Sequence, residues 1–180
     1  GPLSGPADTT TFAYDAATGN LLGIQCPEVG ATLFSDYDAA GNPGIATDEN
    51  GNDTRYTYDG RHRVTAVTSE ADGAATTFSY NAAGTLSQVV RPNGVTLSYT
   101  YDAAYGRLAR ITDGLGSTIH YSYDTEGNRI EESIYDPADQ RRFWKRYDYH
   151  GPQHPGKLYR EILPDGTFTA YAYTQGSDIA

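Results

Sequence analysis

The chain has 180 residues, a formal net charge of −10, 16 tyrosines, 20 glycines and a single cysteine. That charge argues against nucleic acid as the natural ligand, and a lone Cys26 excludes an internal disulfide framework. No run of 18 apolar residues occurs, so nothing reads as a membrane-spanning helix, and no stretch reads as a signal peptide.

Residues 1–10 read as a loose N-terminal segment, in which Gly1-Pro2-Leu3-Ser4 resembles the scar of a tag-removing protease. The natural N-terminus is therefore expected upstream. From residue 11 to residue 180 one phrase returns: two aromatics two apart, then an acid or amide. It appears as Phe12-x-Tyr14-Asp15, as a spread copy Phe34-Ser-Asp-Tyr37-Asp38, and as Tyr56-x-Tyr58-Asp59. It continues as Phe78-x-Tyr80-Asn81, Tyr99-x-Tyr101-Asp102, Tyr121-x-Tyr123-Asp124, Tyr147-Asp148-Tyr149 and Tyr171-x-Tyr173. The second aromatics recur every 21 to 26 residues. Such a period marks a repeat architecture, here seven to eight units in a single repeat domain, each too short to bury its own face.

The spacing of two places both rings on one face of an extended strand, with Thr57, Thr100 or Ser122 on the other. A turn follows, as in Asp38-Ala-Ala-Gly41, Asn81-Ala-Ala-Gly84 and Asp124-Thr-Glu-Gly127, with Gly106 serving the longer Asp102 copy. Asp or Asn accepts hydrogen bonds from backbone two residues on, and Gly supplies positive φ. A second apolar run comes next: Val64-x-x-Val67, Leu86-x-x-Val89 or Leu108-x-x-Ile111. Its spacing of three breaks strict alternation and predicts a β-bulge or twist where the strand leaves the turn. A second turn closes the unit, as at Asp48-Glu-Asn-Gly51 or Asp113-Gly-Leu-Gly116. The predicted fold is all-β: tandem hairpins forming a continuous, twisted antiparallel sheet.

The Tyr-x-Tyr-Asp-x-x-Gly-Asn/Arg-Leu phrase, clearest from Tyr99 to Leu108 and from Tyr121 to Ile130, resembles the YD repeat of RHS proteins. The resemblance covers about residues 11 to 174. It implies a β-strand spiral forming part of a hollow shell, as in bacterial toxin complexes, polymorphic toxins, secretion effectors and teneurins, with a C-terminal toxin segment enclosed in several of them. It implies no cofactor, and a secreted or cell-surface bacterial parent.

Three stretches invite a chemical reading. Asp48-Glu49-Asn50-Gly51-Asn52-Asp53 alternates oxygen ligands as a calcium loop does, but Asp53 stands where such a loop needs Gly, so a solvated turn is expected. His150 and His154 are too few for zinc. Arg142, Trp144 and Arg146 fall on one face of a strand, with Phe143, Lys145 and Tyr147 on the other, and could grip an anionic or stacking ligand; the alternative is that these cations neutralise nearby carboxylates. Catalysis has no support, because the carboxylates sit in turns without distinctive spacing and no nucleophile motif occurs. The family's self-cleaving Asp-Pro-x-Gly phrase fails at Asp136-Pro137-Ala138-Asp139, so no self-cleavage is predicted.

The expectation is a non-catalytic wall whose tyrosine face packs and whose Thr/Ser/Arg face meets solvent or lumen. Its partners would be neighbouring repeats of the parent chain, an enclosed toxin or effector, and other copies through open sheet edges. The alternative is a surface module whose exposed rings bind carbohydrate. That reading needs several rings exposed in a row.

Overall fold

In a computed structural model the described residues are 9–27, 29–150 and 156–173. All regular structure among them is β. The chain divides after Gly94 into two compact units. The first holds β1 (Thr11–Tyr14), β2 (Leu21–Cys26), β3 (Gly30–Tyr37), β4 (Pro43–Thr47), β5 (Asp53–Tyr58), β6 (Val64–Ser69), β7 (Ala75–Tyr80) and β8 (Leu86–Val90). The second holds β9 (Thr96–Tyr101), β10 (Leu108–Asp113), β11 (Thr118–Tyr123), β12 (Arg129–Tyr135), β13 (Arg141–Tyr149), β14 (Leu158–Ile162) and β15 (Phe168–Ala170). Within each unit strand order follows chain order and every pairing is antiparallel, the all-β hairpin meander the repeats predict.

Register puts the apolar residues in rows. Ile111 faces Ile119, Ile119 faces Ile134, and Ile134 faces Phe143. Tyr56 likewise faces Val67. Directly opposed side chains share a face and pack, which is the unit of sheet stabilisation. A single layer buries little: among the described residues only Val89 (9% exposed) and Tyr147 (8%) count as a buried apolar core.

The predicted bulge is present. Thr57 pairs with Ala66 but Tyr58 pairs with Val64, leaving Thr65 over. The same shift occurs at Tyr80 opposite Leu86, at Tyr123 opposite Arg129 and at Tyr149 opposite Leu158. The spread copy departs from this rule. Ser35 pairs with Ile45 and Tyr37 with Pro43, so the additional residue Asp36 stands against the bulge residue Gly44. Asp36 takes φ 56 to do so. A Cβ on Gly44 would lie 2.6 Å from the Asp36 carbonyl oxygen, which explains glycine there.

Candidate functional site

The recurring site is the joint between hairpins, and it begins with the residue that follows the aromatic strand, an aspartate in five copies and Asn81 in a sixth. Asp38 Oδ1 accepts the backbone N–H groups of Ala40 and Asn42, each at 2.9 Å. Asp59 does the same for Arg61 and Arg63. The glycine three residues after this Asp or Asn closes the turn at positive φ, as at Gly41, Gly84 and Gly127. The turns at Asp15 and Asp102 hold one residue more, closing on Gly19 and Gly106. Second turns use the same device at Asp48, Asp113 and Asp136. His62 and Asp139 stand where glycine stands elsewhere and take φ 61 and 59. A left-handed conformation costs such residues about 1–2 kcal/mol. At His62 the ring gains a partner, with Nδ1 3.1 Å from Asn42 Nδ2 of the preceding turn.

The second tyrosine of each phrase then reaches back. Tyr58 donates its hydroxyl to the Pro43 carbonyl at 2.9 Å, Tyr80 to Val64 at 2.7 Å, Tyr123 to Leu108 at 2.8 Å and Tyr149 to Arg129 at 2.9 Å. Tyr37 donates to Leu21. Each acceptor is the first residue of the preceding strand. Burial pushes the hydroxyls of Tyr37, Tyr58 and Tyr149 above the ordinary phenol range, so they remain protonated donors. Tyr101 closes β9 in the same place, opposite Leu108. Tyr14, at the first such position, is 60% exposed.

Arginines add a second tie. Arg63 pairs with Asp59 and lies 4.1 Å over the Tyr80 ring of the next hairpin. Arg107 pairs with Asp102 at 2.8 Å, lies over Tyr105 and Tyr123, and donates to the Asp124 carbonyl at 3.2 Å. Arg129 lies over Tyr121 and Tyr147 and donates to the Tyr147 hydroxyl at 3.0 Å. The Arg63 hydrogen bond holds the Asp59 carboxyl at about 2, well below the usual carboxylate value. Near the end of the chain the Tyr171 N–H donates to the Tyr159 carbonyl at 2.9 Å, and Tyr173 packs on His150 and under Lys157.

The basic stretch of β13 is rearranged by a bulge between Ile134 and Tyr135. Arg142 turns to Asp136 at 2.7 Å. Arg141, opposite Tyr135, joins Arg146 over the Trp144 ring, at 5.8 and 4.9 Å from its centroid. Both reach Glu131, Arg146 at 2.8 Å and Arg141 at 3.3 Å. The Glu131 carboxyl is held low by the Ser133 hydroxyl first and Arg146 after it, against the effect of burial. Lys145 pairs with Glu161 on the opposite face. Among the described residues no His/Cys/Asp/Glu group could hold a metal ion. The Asp48 carboxylate already accepts from Asn50 and Asn52, so the calcium-like loop has the geometry of a plain turn. His154 lies outside the described residues.

The family described as Teneurin YD-shell matches residues 27–177. The chain belongs to the Teneurin YD-shell family. It is an RHS/YD-repeat protein, and the latched hairpin is its repeat. Among solved structures the YD-shell chain is similar to that of TcdB2-TccC3 (TM-score 0.69, 18% identity, covering 92% of this chain and 10% of that one). It is also similar to that of TcdB2-TccC3-Cdc42 (TM-score 0.67, 20% identity, 83% and 9%). A third is the Photorhabdus luminescens Tc holotoxin pore (TM-score 0.54, 18% identity, 80% and 10%). The YD-shell chain thus spans about a tenth of each, and at these identities the likeness is one of fold. No curated protein matches the sequence.

Sequence reasoning placed the tyrosines, aspartates and glycines but missed what they touch. The acceptor of Tyr37, Tyr58, Tyr80, Tyr123 and Tyr149 is a backbone carbonyl, which no residue type advertises. The arginine tie had a signal: an Arg just after the turn, 16 or 17 residues before the next second tyrosine, as Arg63 precedes Tyr80 and Arg107 precedes Tyr123.

Proposed function

We propose that this YD-shell segment is a non-catalytic piece of wall in a larger secreted, bacterial RHS-type protein, and that the wall encloses a toxin or effector polypeptide. The observation that carries the reading is the joint. Turn aspartates hold each turn, and tyrosine hydroxyls and turn arginines tie neighbouring hairpins together, which makes a sheet that resists parting between repeats. The ring pairs support packing over sugar stacking: Tyr56, Tyr58, Tyr80, Tyr99, Tyr101, Tyr121 and Tyr123 are half-buried rather than exposed in a row.

Limited proteolysis with mass spectrometry on the full-length parent tests enclosure. A C-terminal piece that survives protease in the intact protein and becomes cleavable once the shell is opened supports it. Immediate digestion of everything beyond the repeats overturns it. Light scattering checks the edge-pairing expectation: self-association at high concentration supports it, and a monomer counts against it.

A further inference from the structure

We propose that the face of β10–β13 opposite the tyrosines is a docking surface for an acidic, extended peptide, held by Arg110 at one side and Arg146 at the other. Register defines the face. Arg110 stands opposite His120, His120 opposite Ser133 and Ser133 opposite Trp144, and Glu131 stands opposite Arg146 in the next row. His120 stacks on Tyr135 with ring centroids 4.7 Å apart, and Trp144 lies under Arg141 and Arg146. Ser133 and Thr118, each 3% exposed, are covered by this layer. The surface thus presents Trp144, Tyr135 and arginines around His120, and Trp, Tyr and Arg are the residue types enriched at protein-binding hot spots.

Charge picks the partner. Arg141 and Arg146 share one carboxylate, Glu131, and Arg142 is matched by Asp136. Arg110 is exposed, and among the described residues it makes no ion pair while the other strand arginines do. The face therefore carries surplus positive charge on a chain whose net charge is −10. Asp139 lines the same hollow as Arg110 and His120. A uniformly charged polymer would meet that carboxylate at every pose, whereas a peptide can set discrete carboxylates on the arginines and leave the gap neutral. Arg110 and Arg146 lie three strands and one row apart, about 16 Å at sheet spacing, and two residues four apart on one side of an extended chain, about 13 Å, reach both through their long side chains. The ligand is thus a peptide with acidic residues about four apart and uncharged residues between them. This inference stands apart from enclosure and survives its failure.

The test is fluorescence titration of Trp144, the only tryptophan, on the 180-residue chain. The probes are an acetylated decapeptide with two glutamates four apart, its Gln/Gln analogue and heparin. A saturable change with the glutamate peptide is expected, weaker at high salt. Arg110→Gln and Arg146→Gln should each weaken it by about tenfold, the effect of 1.4 kcal/mol. Arg91→Gln, in a turn of the other unit, should leave it unchanged. No saturable change, unaltered binding by both variants, equal binding of the Gln/Gln peptide, or tighter binding of heparin overturns the proposal. Arg110 makes no ion pair, so its variant stays folded, and circular dichroism checks this for both.

Discussion

The two units share the tyrosine-latched frame and differ on the face behind it. Across β5–β8 that face aligns Thr57, Ala66, Thr77 and Val90. Across β10–β13 it aligns Arg110, His120, Ser133 and Trp144. Small or β-branched residues and large aromatic or charged ones thus ride on the same kind of hairpin. The frame is set by the turns and the ring face, so the other face is free to change its chemistry without changing the fold.

Acid tests the shared part most broadly. Turn aspartates in both units, among them Asp15, Asp38, Asp59, Asp102 and Asp136, have carboxyls below their ordinary value because turn groups hydrogen-bond the ionised form. A depressed folded pKa gives stability that is present above the unfolded value of 3.8 and is lost as pH falls toward the folded value, about 2 for Asp59. Urea midpoints should therefore fall for both units together between about pH 5 and pH 2. If one unit loses stability alone, the frames are not equivalent.

Substitutions separate the two faces. Tyr147, on the ring face and 8% exposed, should cost about 3–5 kcal/mol as Tyr147→Ala. Trp144→Ala, on the other face, should cost less than about 1 kcal/mol if that face is dispensable to folding; a larger cost in chemical denaturation would break the comparison. Gly44→Ala in the first unit should cost about 2 kcal/mol, since its Cβ meets backbone rather than a movable side chain. Deleting Asp36 should remove that penalty.

Smaller effects sharpen the picture. Tyr58→Phe and Tyr123→Phe each delete one latch, at 2.9 and 2.8 Å, and should each cost about 1 kcal/mol. Unequal costs would show that the latch is not the same device in both units. Asp139→Gly should stabilise by about 0.5–1 kcal/mol, the relief of a left-handed residue less the entropy of glycine. His62→Gly should gain less, because it also gives up the contact with Asn42. Thermal or urea denaturation reads both.

Much of this frame is legible in the sequence, because its parts are residue types with one strong preference. Tyr56-x-Tyr58 gives a strand face, Asp124-x-x-Gly127 gives a turn, and Val64-x-x-Val67 gives the bulge. The places where reading failed involve partners rather than residues. The extra Asp36 looked like a loose copy of the phrase, yet the chain absorbs it by opposing it to Gly44. Alternation put Arg142 beside Trp144, but the bulge near Tyr135 substitutes Arg141, since one extra residue exchanges the faces of everything before it. Which cations are matched by carboxylates depends on strand order, so the surplus at Arg110 is invisible until β10, β11 and β12 lie side by side.

The reach of each tyrosine back to the preceding strand also fixes what can be copied. The span from Asp59 to Tyr80 carries both an acceptor, the Val64 carbonyl, and the hydroxyl that uses it. The span from Arg107 to Tyr123 does the same with Leu108. A segment cut just after one second tyrosine and ended on the next is self-sufficient. Duplicating or deleting such a segment leaves every remaining tyrosine with a carbonyl to hold, so a lineage can lengthen or shorten the wall by one repeat at a time without re-inventing any joint.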